Sequence, residues 1–315
     1  MGCLVGFLEQ FREKCVTLFV GGAHSAFAWE LPEKTWRKQR KFREQCAVGW
    51  TMTRFASPVS ALVICMNEAD MIGQCLESVD FCAEIVVVDS GSTDSTLDVV
   101  QEFIAKGYPI RLFHNDWPGF PRQRQFALDQ ATLPWCLSIE ADEAIDDRLR
   151  QSIMDVTQPR NDAFDGWYIR RRDKLKGYGY AHRWVLHNRL LRLFRRDKAT
   201  MDVDLRVHES FEVPGKTGTI ENGVLLHRRE MTIVEDLVRA NTYSSLKVAT
   251  LVERGKKPGL IKLVLSPLGN FLKFYLAKRY FLCGRHGFVY SMMVMVYSFT
   301  TEAKLYEAWR DNDPV

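Results

Sequence analysis

The sequence contains eight cysteines, but it has no CxxC pair and no cysteine–histidine cluster at the spacing of a zinc site. Cys65, Cys82 and Cys136 stand inside apolar runs, where cysteine packs as a small hydrophobic residue. The sequence therefore argues against a zinc ribbon and against a framework of disulfides. It is typical of a protein of a reducing cytosol.

The sequence also lacks the usual signals for membrane insertion or lipid attachment. We find no signal peptide with a small-residue cleavage site, and Gly6 stands where N-terminal myristoylation requires Ser or Thr. No uninterrupted apolar run reaches the roughly 18–20 residues of a spanning helix. The longest candidate covers residues 288–299. We therefore expect no helix that crosses a membrane.

The chain as a whole has no large excess of one charge, because its net charge is only +4. This argues against nucleic acid as a partner. The charge is unevenly placed, however. Residues 254–301 contain eight Lys and Arg residues and no Asp or Glu, with aliphatic and aromatic residues between them. This pattern predicts helices with a basic edge and an apolar face, suited to an anionic membrane surface. The alternative is a helical region packed on the domain, with its lysines in water.

The chain divides into three predicted regions. Residues 1–57 form an N-terminal extension with a dense basic run at 33–43, residues 58–230 a nucleotide-binding domain, and residues 231–315 a C-terminal amphipathic helical region. Met52 stands just before the first strong strand pattern. Two interpretations of the extension stay open: translation from Met52 makes it dispensable, or it is a genuine helical appendage.

The middle region alternates short apolar, β-branched runs with segments whose apolar residues repeat at helical spacing. Strands are predicted at 59–65, 84–89, 110–114 and 135–139, with helices at 69–79, 94–105 and 121–131. This alternation predicts an α/β fold, a Rossmann-like and mostly parallel sheet with crossover helices. Strands predicted at 166–172, 189–194, 205–213 and 219–227 extend this sheet or form a second one. From residue 233 onward the pattern is helical.

Polar side chains follow three of these strands. They are Asn67 and Glu68 after the first strand, Asp89 and Ser90 after the second, and Glu140, Asp142 and Glu143 after the fourth. Because the carboxyl ends of parallel strands meet at one edge of a sheet, we expect these groups to converge on a nucleotide site. Glu140 and Asp142 are spaced to hold Mg²⁺ or Mn²⁺ against a diphosphate. Glu143 is interpreted as a cap of the following helix.

Three segments, LVICMNE at 62–68, IVVVDSGSTD at 85–94 and EADE at 140–143, resemble glycosyltransferase family 2. The resemblance implies a GT-A fold and an inverting glycosyltransferase that uses a sugar nucleotide and a divalent cation. The family usually has Asp-x-Asp where this sequence has Glu140-Ala-Asp142. The resemblance makes Asp142 a metal ligand and assigns Glu140 to the donor nucleotide.

Further segments, DWPGF at 116–120, RLFRR at 192–196, VHE at 207–209 and LLH at 225–227, are similar to the lipopolysaccharide-core β-1,4-glucosyltransferases of that family. This similarity implies transfer of glucose from UDP-glucose to an inner-core heptose, on the cytoplasmic face of a bacterial inner membrane. Arg124 takes the place of a basic residue of the family, and we expect it to face the diphosphate.

An inverting transferase needs one general base to take the proton of the acceptor hydroxyl. Glu209, at the end of a predicted strand, is our candidate, with Asp202 and Asp204 as alternatives. His208 is a candidate metal or phosphate contact, whereas His227 is interpreted as structural.

Three rival functions stay open at this point. A nucleotidyltransferase also uses acidic metal ligands on an α/β sheet, but it usually begins with a Gly-rich basic loop, and none follows Cys65. A family 2 enzyme with another sugar nucleotide and a polyprenyl or polysaccharide acceptor fits the same motifs. Glu140, at the usual aspartate position, is the one feature that favours a catalytically impaired sugar-nucleotide-binding protein.

Overall fold

The computed structural model describes residues 57–158, 163–202 and 210–310. Residues 1–56 of the predicted N-terminal extension, with Met52, lie outside the described residues. The elements described after residue 230 are all helical, and the predicted domain boundary there stays a prediction.

The first half of the described chain alternates strands and helices, as the sequence predicts. The elements are β1 (Ser57–Cys65), α1 (Ala69–Ser78), β2 (Cys82–Asp89), α2 (Thr96–Ala105), β3 (Ile110–His114), α3 (Phe120–Gln130) and β4 (Trp135–Glu140). Strands β3, β2, β1 and β4 are neighbours in that order, and each pair is parallel. The predicted parallel sheet is confirmed for these four strands.

Helices cover both faces of this parallel sheet. Successive side chains of a strand point to opposite faces, so neighbouring residues of a buried strand enter different cores. Val63 of β1 packs in one hydrophobic cluster with Ile72 of α1 and Val100 of α2. Leu62 packs in the other cluster, with Ala127 of α3. This two-sided burial explains why the strands are almost continuously apolar.

The second half extends the same sheet. Its elements are β5 (Glu143–Ile145), α4 (Asp147–Val156), β6 (Gly166–Leu175), β7 (Gly179–Tyr180), β8 (Asn188–Arg195) and β9 (Thr217–His227). The strand order is β3-β2-β1-β4-β8-β6-β9-β5, with β7 on β6. Pairs β4/β8, β8/β6 and β9/β5 are antiparallel, whereas β6/β9 is parallel. The complete sheet is therefore mixed.

Three details differ from the sequence prediction. Strand β5 was not predicted, and helix α4 was predicted only as the helix that Glu143 would cap, without bounds. The strand predicted at 205–213 lies outside the described residues up to position 209, and its described part forms only an isolated bridge between Glu212 and Thr200. Strands β6, β8 and β9 are each longer than predicted. Strand β6 pairs with β8 and β9, β8 also pairs with β4, and β9 also pairs with β5.

The C-terminal region is helical, as predicted. Helix α5 (Ile233–Glu253) begins at a capping box of Thr232 and Glu235, which satisfies two amides at its first turn. Helix α6 (Leu260–Leu272) continues as a π-helical turn (Lys273–Ala277), and a 3₁₀ turn (Tyr280–Cys283) leads into α7 (Gly284–Arg310). Both α5 and α6 pack against α7.

One helix of the described chain is long and apolar enough to cross a membrane, judged by length and composition alone. It covers 18 residues, Leu260–Ala277, with a mean hydropathy of 1.3, and only 6% of it is buried. The sequence did not predict this helix as a membrane span because Lys262 and Lys273 interrupt its apolar run. Its exposed apolar residues are Leu260, Ile261, Val264, Leu265, Leu268, Leu272 and Leu276.

Candidate active site

The carboxyl ends of β1, β2 and β4 lie side by side at one edge of the sheet. Cys65, the last residue of β1, pairs with Asp89, and Ile64 pairs with Glu140. The polar residues that follow these strands are thereby brought together, because parallel strands in register end at the same level. The structure places every described candidate of the three strand ends in this neighbourhood.

Asn67 joins the loop after β1 to the loop after β2. Its side-chain Oδ1 accepts a hydrogen bond from the backbone N–H of Thr93 at 2.8 Å, and its own N–H donates to Ser92 Oγ at 2.9 Å. Its φ of 55° lies in the left-handed region, which Asn tolerates better than most residues. Asn67 thus fixes the geometry of the edge where a nucleotide is expected.

Asp89 and Ser90 are buried and support the same loop. Asp89 Oδ2 accepts from the backbone N–H groups of Gly91 at 2.9 Å and Ser92 at 3.0 Å. Ser90 Oγ accepts from Gln123 Nε2 at 2.8 Å. Both residues therefore hold the 90–94 turn in place. Their expected contacts with the donor nucleotide stay a prediction.

Glu140 is held by two arginines. Its Oε1 lies 2.7 Å from Arg124 Nη2 and 2.9 Å from Arg192 Nη2. Burial alone would raise the pKa of Glu140, but Arg192 and Arg124 outweigh it and lower that pKa to about 2. Glu140 is therefore ionised, and Arg124, which we expected to face the diphosphate, contacts this carboxylate. The role of Arg124 toward a donor stays a prediction.

Glu143 does not cap a helix, so that interpretation was wrong. It lies in β5 with a fully buried side chain, where Oε2 accepts from the Glu140 N–H at 3.0 Å and Oε1 lies 2.8 Å from Arg192 Nη2. Asp146 is the residue that caps α4, by accepting from Leu149 N–H at 2.8 Å. The carboxylate of Glu143 is buried because Arg192 enters the core to meet it.

Asp142 lies between a histidine and an arginine. Its Oδ2 is 3.4 Å from His227 Nε2 and 2.9 Å from Arg229 Nε, and Arg229 also contacts Glu68. Burial would raise the pKa of Asp142, but His227 and Arg229 outweigh it and hold that pKa well below its usual range. Burial raises the pKa of Glu68. Arg229, missed from the sequence, thus links the strand ends of β1 and β4.

His227 bridges two carboxylates. Its Nδ1 lies 3.3 Å from Asp173 Oδ1, and its Nε2 faces Asp142. Burial would lower the pKa of His227, but the hydrogen bonds to Asp142 and Asp173 outweigh it and raise that pKa to about 9. The ring is therefore protonated at neutral pH, and it orients Asp142.

A divalent cation fits this site through one specific atom. Asp142 Oδ1 is buried and has no hydrogen-bond partner in the described part of the chain, so it is a free hard-oxygen ligand. Within the same residues, no three His, Cys, Asp or Glu side chains are grouped so that they could hold a metal ion. His208, the other predicted ligand, lies outside the described residues.

The predicted acceptor side is described only in part. Asp202 is exposed at the end of a described segment, whereas Asp204, His208 and Glu209 lie outside the described residues. Their predicted roles stay predictions. Arg192, Arg229 and Asp173 were not singled out from the sequence as site residues. Arg192 could have been recognised in the sequence as a basic residue within an otherwise apolar strand, since a buried arginine needs acidic partners.

Comparison with known proteins identifies the family. The model of Glycosyl transferase family 2 matches residues 60–215. The lipopolysaccharide core biosynthesis glycosyltransferase LpsC of Rhizobium meliloti is 43% identical over 250 residues, which cover 79% of this chain and 92% of that protein. An uncharacterized glycosyltransferase of Rickettsia typhi is 29% identical over 259 residues, or 79% of this chain and 87% of that protein.

Solved structures are more distant. The mannosyltransferase PcManGT of Pyrobaculum calidifontis, in complex with GDP-Man and Mn²⁺, has 15% identity, covers 89% of this chain and 85% of its own, and gives a TM-score of 0.46. TarS of S. aureus in complex with UDP-GlcNAc also has 15% identity and a TM-score of 0.46, covering 81% of this chain and 92% of its own. Because these TM-scores are below 0.5, the family of this chain is identified from the sequence matches and not from the solved structures. This chain belongs to glycosyltransferase family 2 and is a glycosyltransferase with the GT-A fold.

Proposed function

We propose that this glycosyltransferase transfers a hexose, glucose from UDP-glucose, with inversion onto a heptose of the lipopolysaccharide inner core. The observation that carries the proposal is the 43% identity to a relative named as a lipopolysaccharide core biosynthesis glycosyltransferase, across 92% of that relative. The motifs that resemble core glucosyltransferases support the choice of donor and acceptor.

The strand-end edge is the proposed donor site. Asn67 and Asp89 shape the loop that would meet the base and ribose, and Glu68 lies beside Asp142 on the same edge. Glu140 and Arg124 form a fixed ion pair that would contact the donor from the β4 side. A preorganised site of this kind needs little rearrangement when the donor binds.

Asp142, together with His208, would hold Mg²⁺ or Mn²⁺. When bound there, the cation neutralises negative charge on the diphosphate leaving group. His227 and Asp173 orient the Asp142 carboxylate, and Arg229 balances its charge.

The acceptor hydroxyl is the proposed nucleophile. Its oxygen forms a bond to the anomeric carbon while the bond from that carbon to the diphosphate oxygen breaks on the opposite face, which inverts the configuration. Glu209 is the proposed base that receives the hydroxyl proton.

We also place the enzyme peripherally on the cytoplasmic face of the inner membrane. The outer face of α6 exposes Ile261 by 75%, and Lys262, Lys273 and Lys278 lie along the same region. An exposed apolar face with a basic edge is suited to the surface of an anionic bilayer. A lipid-linked acceptor would reach the enzyme at that surface.

The direct test combines purified protein with a panel of sugar nucleotides and truncated lipopolysaccharides, read by mass spectrometry. We expect one hexose to be added from UDP-glucose, and only to acceptors that keep the inner-core heptose. Transfer from a different nucleotide, or to a polyprenyl phosphate instead, would replace this proposal with the corresponding rival.

A further inference from the structure

A cavity of about 660 Å³ lies between the sheet and the C-terminal helices. Strands β6 and β9 line it on one side, and helices α5, α6 and α7 line it on the other. This volume lies within the range of small-molecule sites, roughly 300–1,000 Å³. It is large enough for sugar rings, and the sequence motifs assign no role to it.

The cavity adjoins the proposed metal ligand. His227 and Arg229 line it, and both contact Asp142 Oδ2. A second pocket of about 370 Å³ contains Arg124 and Glu140. The residues shared by the two pockets are Arg171, Arg239, Tyr243 and Tyr297. A ligand in the larger cavity would therefore lie next to the reacting end of a donor held at the strand edge.

Positive charge is the unusual feature of the cavity lining. Arg171 is paired with Asp173 at 3.1 Å, and Lys174 with Glu230 at 2.7 Å. Arg239 and Lys176 form no direct salt bridge with a carboxylate of the described residues. Their acidic neighbours act at longer range: Asp236, which also lines the cavity, on Arg239, and Glu230 and Glu235 on Lys176. Such cations, placed on a cavity wall, attract an anionic ligand.

The surroundings of Arg239 explain why its position is defined without a direct salt bridge. Its guanidinium carbon lies 5.3 Å from the ring centroid of Tyr243, one turn later on α5, and its Nη1 donates to Met231 Sδ at 3.3 Å. A guanidinium that stacks on a ring keeps its other N–H groups free for an oxyanion. Arg239 is therefore presented to the cavity with part of its hydrogen-bonding capacity unused.

Aromatic residues and the exposed helix provide the rest of the environment. Tyr243, Tyr290 and Tyr297 line the cavity, and apolar ring surface with a polar hydroxyl suits a sugar ring. One face of the Tyr290 ring is already stacked on Tyr280, and the Tyr243 ring carries Arg239. Asn270 and Phe274 line the cavity from α6 and its π-helical continuation, the same helix that exposes an apolar face outward. The lining thus suits a saccharide that arrives from a bilayer surface.

We infer that this cavity binds the acceptor saccharide through a negatively charged substituent, a phosphate or a carboxylate, which Arg239 and Lys176 receive. The inference rests on the proposed function for the identity of the acceptor. It adds the requirement that the acceptor carry a negative charge, which the proposed function alone does not contain. Arg239 and Lys176 would then determine which acceptors are accepted.

The test is equilibrium binding of a deacylated core oligosaccharide to the full-length protein, measured by titration calorimetry without donor. Deacylation removes any contribution from membrane binding. The oligosaccharide is used untreated, after removal of its phosphates, and after reduction of its carboxylates to alcohols. The variants are Arg239→Gln, Lys176→Gln and the double substitution. Lys262→Gln, an exposed lysine of α6 that does not line the cavity, is the matched control.

We expect the double variant to bind the untreated oligosaccharide about tenfold more weakly or worse, the loss of a charge-assisted hydrogen bond. Either removal of the phosphates or reduction of the carboxylates should weaken binding to the wild type by a similar factor. The same treatment should cause little further loss of binding in the double variant, and the treatment that does so identifies the anionic group. Lys262→Gln should bind like the wild type. Equal binding by the wild type and the double variant would overturn the inference, as would weaker binding of UDP instead of the oligosaccharide.

Transfer assays on the same samples separate the two proposals. If the oligosaccharide binds in a charge-dependent way but receives no hexose, the proposed function fails and the cavity assignment stands. If the wild type and the double variant transfer hexose with the same KM for the acceptor oligosaccharide, the proposed function stands and the inference fails.

Discussion

The guanidinium of Arg192, on β8, lies 2.8 Å from the carboxylate of Glu143, on β5, and both side chains are buried. Arg192 also reaches Glu140, so one buried arginine balances two carboxylates beside the proposed donor site. Arg192→Met removes that charge and leaves both acids without their main partner. We expect the free energy of unfolding to fall by about 3–5 kcal/mol, measured by urea denaturation.

The matched control is Arg189→Met on the same strand. Arg189 pairs with Glu221 at 2.8 Å, but both side chains are more than half exposed to solvent. Exposed pairs of this kind contribute about 0–1 kcal/mol, because water screens them. Equal losses in the two variants would mean that burial of the Arg192 pair has no energetic consequence.

The contrast between these arginines shows what the sequence could predict. The pattern that predicts β1 to β4 is local, because each apolar run and its following helix are contiguous. The partner of Glu143 is 49 residues away, and Arg229 lies 87 residues from Asp142. Spacing along the chain contains no information about such contacts. Strand β5 was missed for the same reason, since its three residues form a strand only by pairing with β9.

The second prediction about stability concerns the backbone at Gly223. Gly223 has a φ of +98°, and a Cβ atom added there would lie 2.1 Å from the backbone nitrogen of Leu149 in α4. Gly223→Ala therefore adds both backbone strain and a steric clash, and we expect a loss of about 3 kcal/mol or more. Thermal and urea unfolding are the measurements.

Gly107→Ala is the matched control, because it adds backbone strain without a clash. The difference between the two variants gives the steric part of the loss. Gly107 also has a positive φ, +84°, but nothing lies within 4 Å of an added Cβ. We expect only the strain of a left-handed residue, about 1–2 kcal/mol. If the two alanine variants lost the same stability, close contact between β9 and α4 would not be the reason for glycine at 223.

The proposed metal site predicts a dependence of activity on Asp142. Asp142→Asn keeps the shape of the side chain but removes the charge that would hold the cation. We expect transfer to fall at least about 100-fold, because metal stabilisation of the leaving group is worth several kcal/mol. Excess EDTA should abolish transfer by the wild type, and added Mn²⁺ or Mg²⁺ should restore it.

Asp129→Asn, an exposed position on α3, is the control and should retain normal transfer. Glu140→Ala should impair transfer less completely than Asp142→Asn, since Glu140 is assigned to the donor and not to the metal. Full activity of the wild type in EDTA would contradict the metal assignment.

Helix α6 predicts salt-sensitive binding to anionic vesicles. Surface charges are screened beyond about 8 Å at physiological ionic strength, so raising the salt should weaken the contribution of its lysines. Ile261→Asp should weaken vesicle binding at least about tenfold, because an isoleucine that becomes buried in the bilayer contributes roughly 1.5–3 kcal/mol. Co-sedimentation with vesicles of defined composition is the measurement.

Val234→Asp is the control for a general effect of an added charge. Val234 is 70% exposed, similar to Ile261 at 75%, but it lies on α5. We expect this variant to bind vesicles normally. Binding that is insensitive to salt and lipid charge, and that resists extraction at high salt, would instead favour a helix that crosses the bilayer.

The last prediction concerns the general base. Glu209→Gln keeps the size and shape of the side chain but removes the basicity, so donor and metal should bind with near-normal affinity. Transfer should slow at least ~100-fold, the low end of what general acid–base catalysis contributes. Asp204→Asn should have a much smaller effect, and Asp202→Asn likewise, since both were alternatives for the same role. Single-turnover transfer and calorimetric binding of UDP distinguish the cases. If Glu209→Gln loses donor binding, Glu209 contacts the donor, because a residue that acts only as a base does not contribute to the affinity for UDP. If Asp204→Asn is the inactive variant, the base is Asp204 and the family and fold are unaffected.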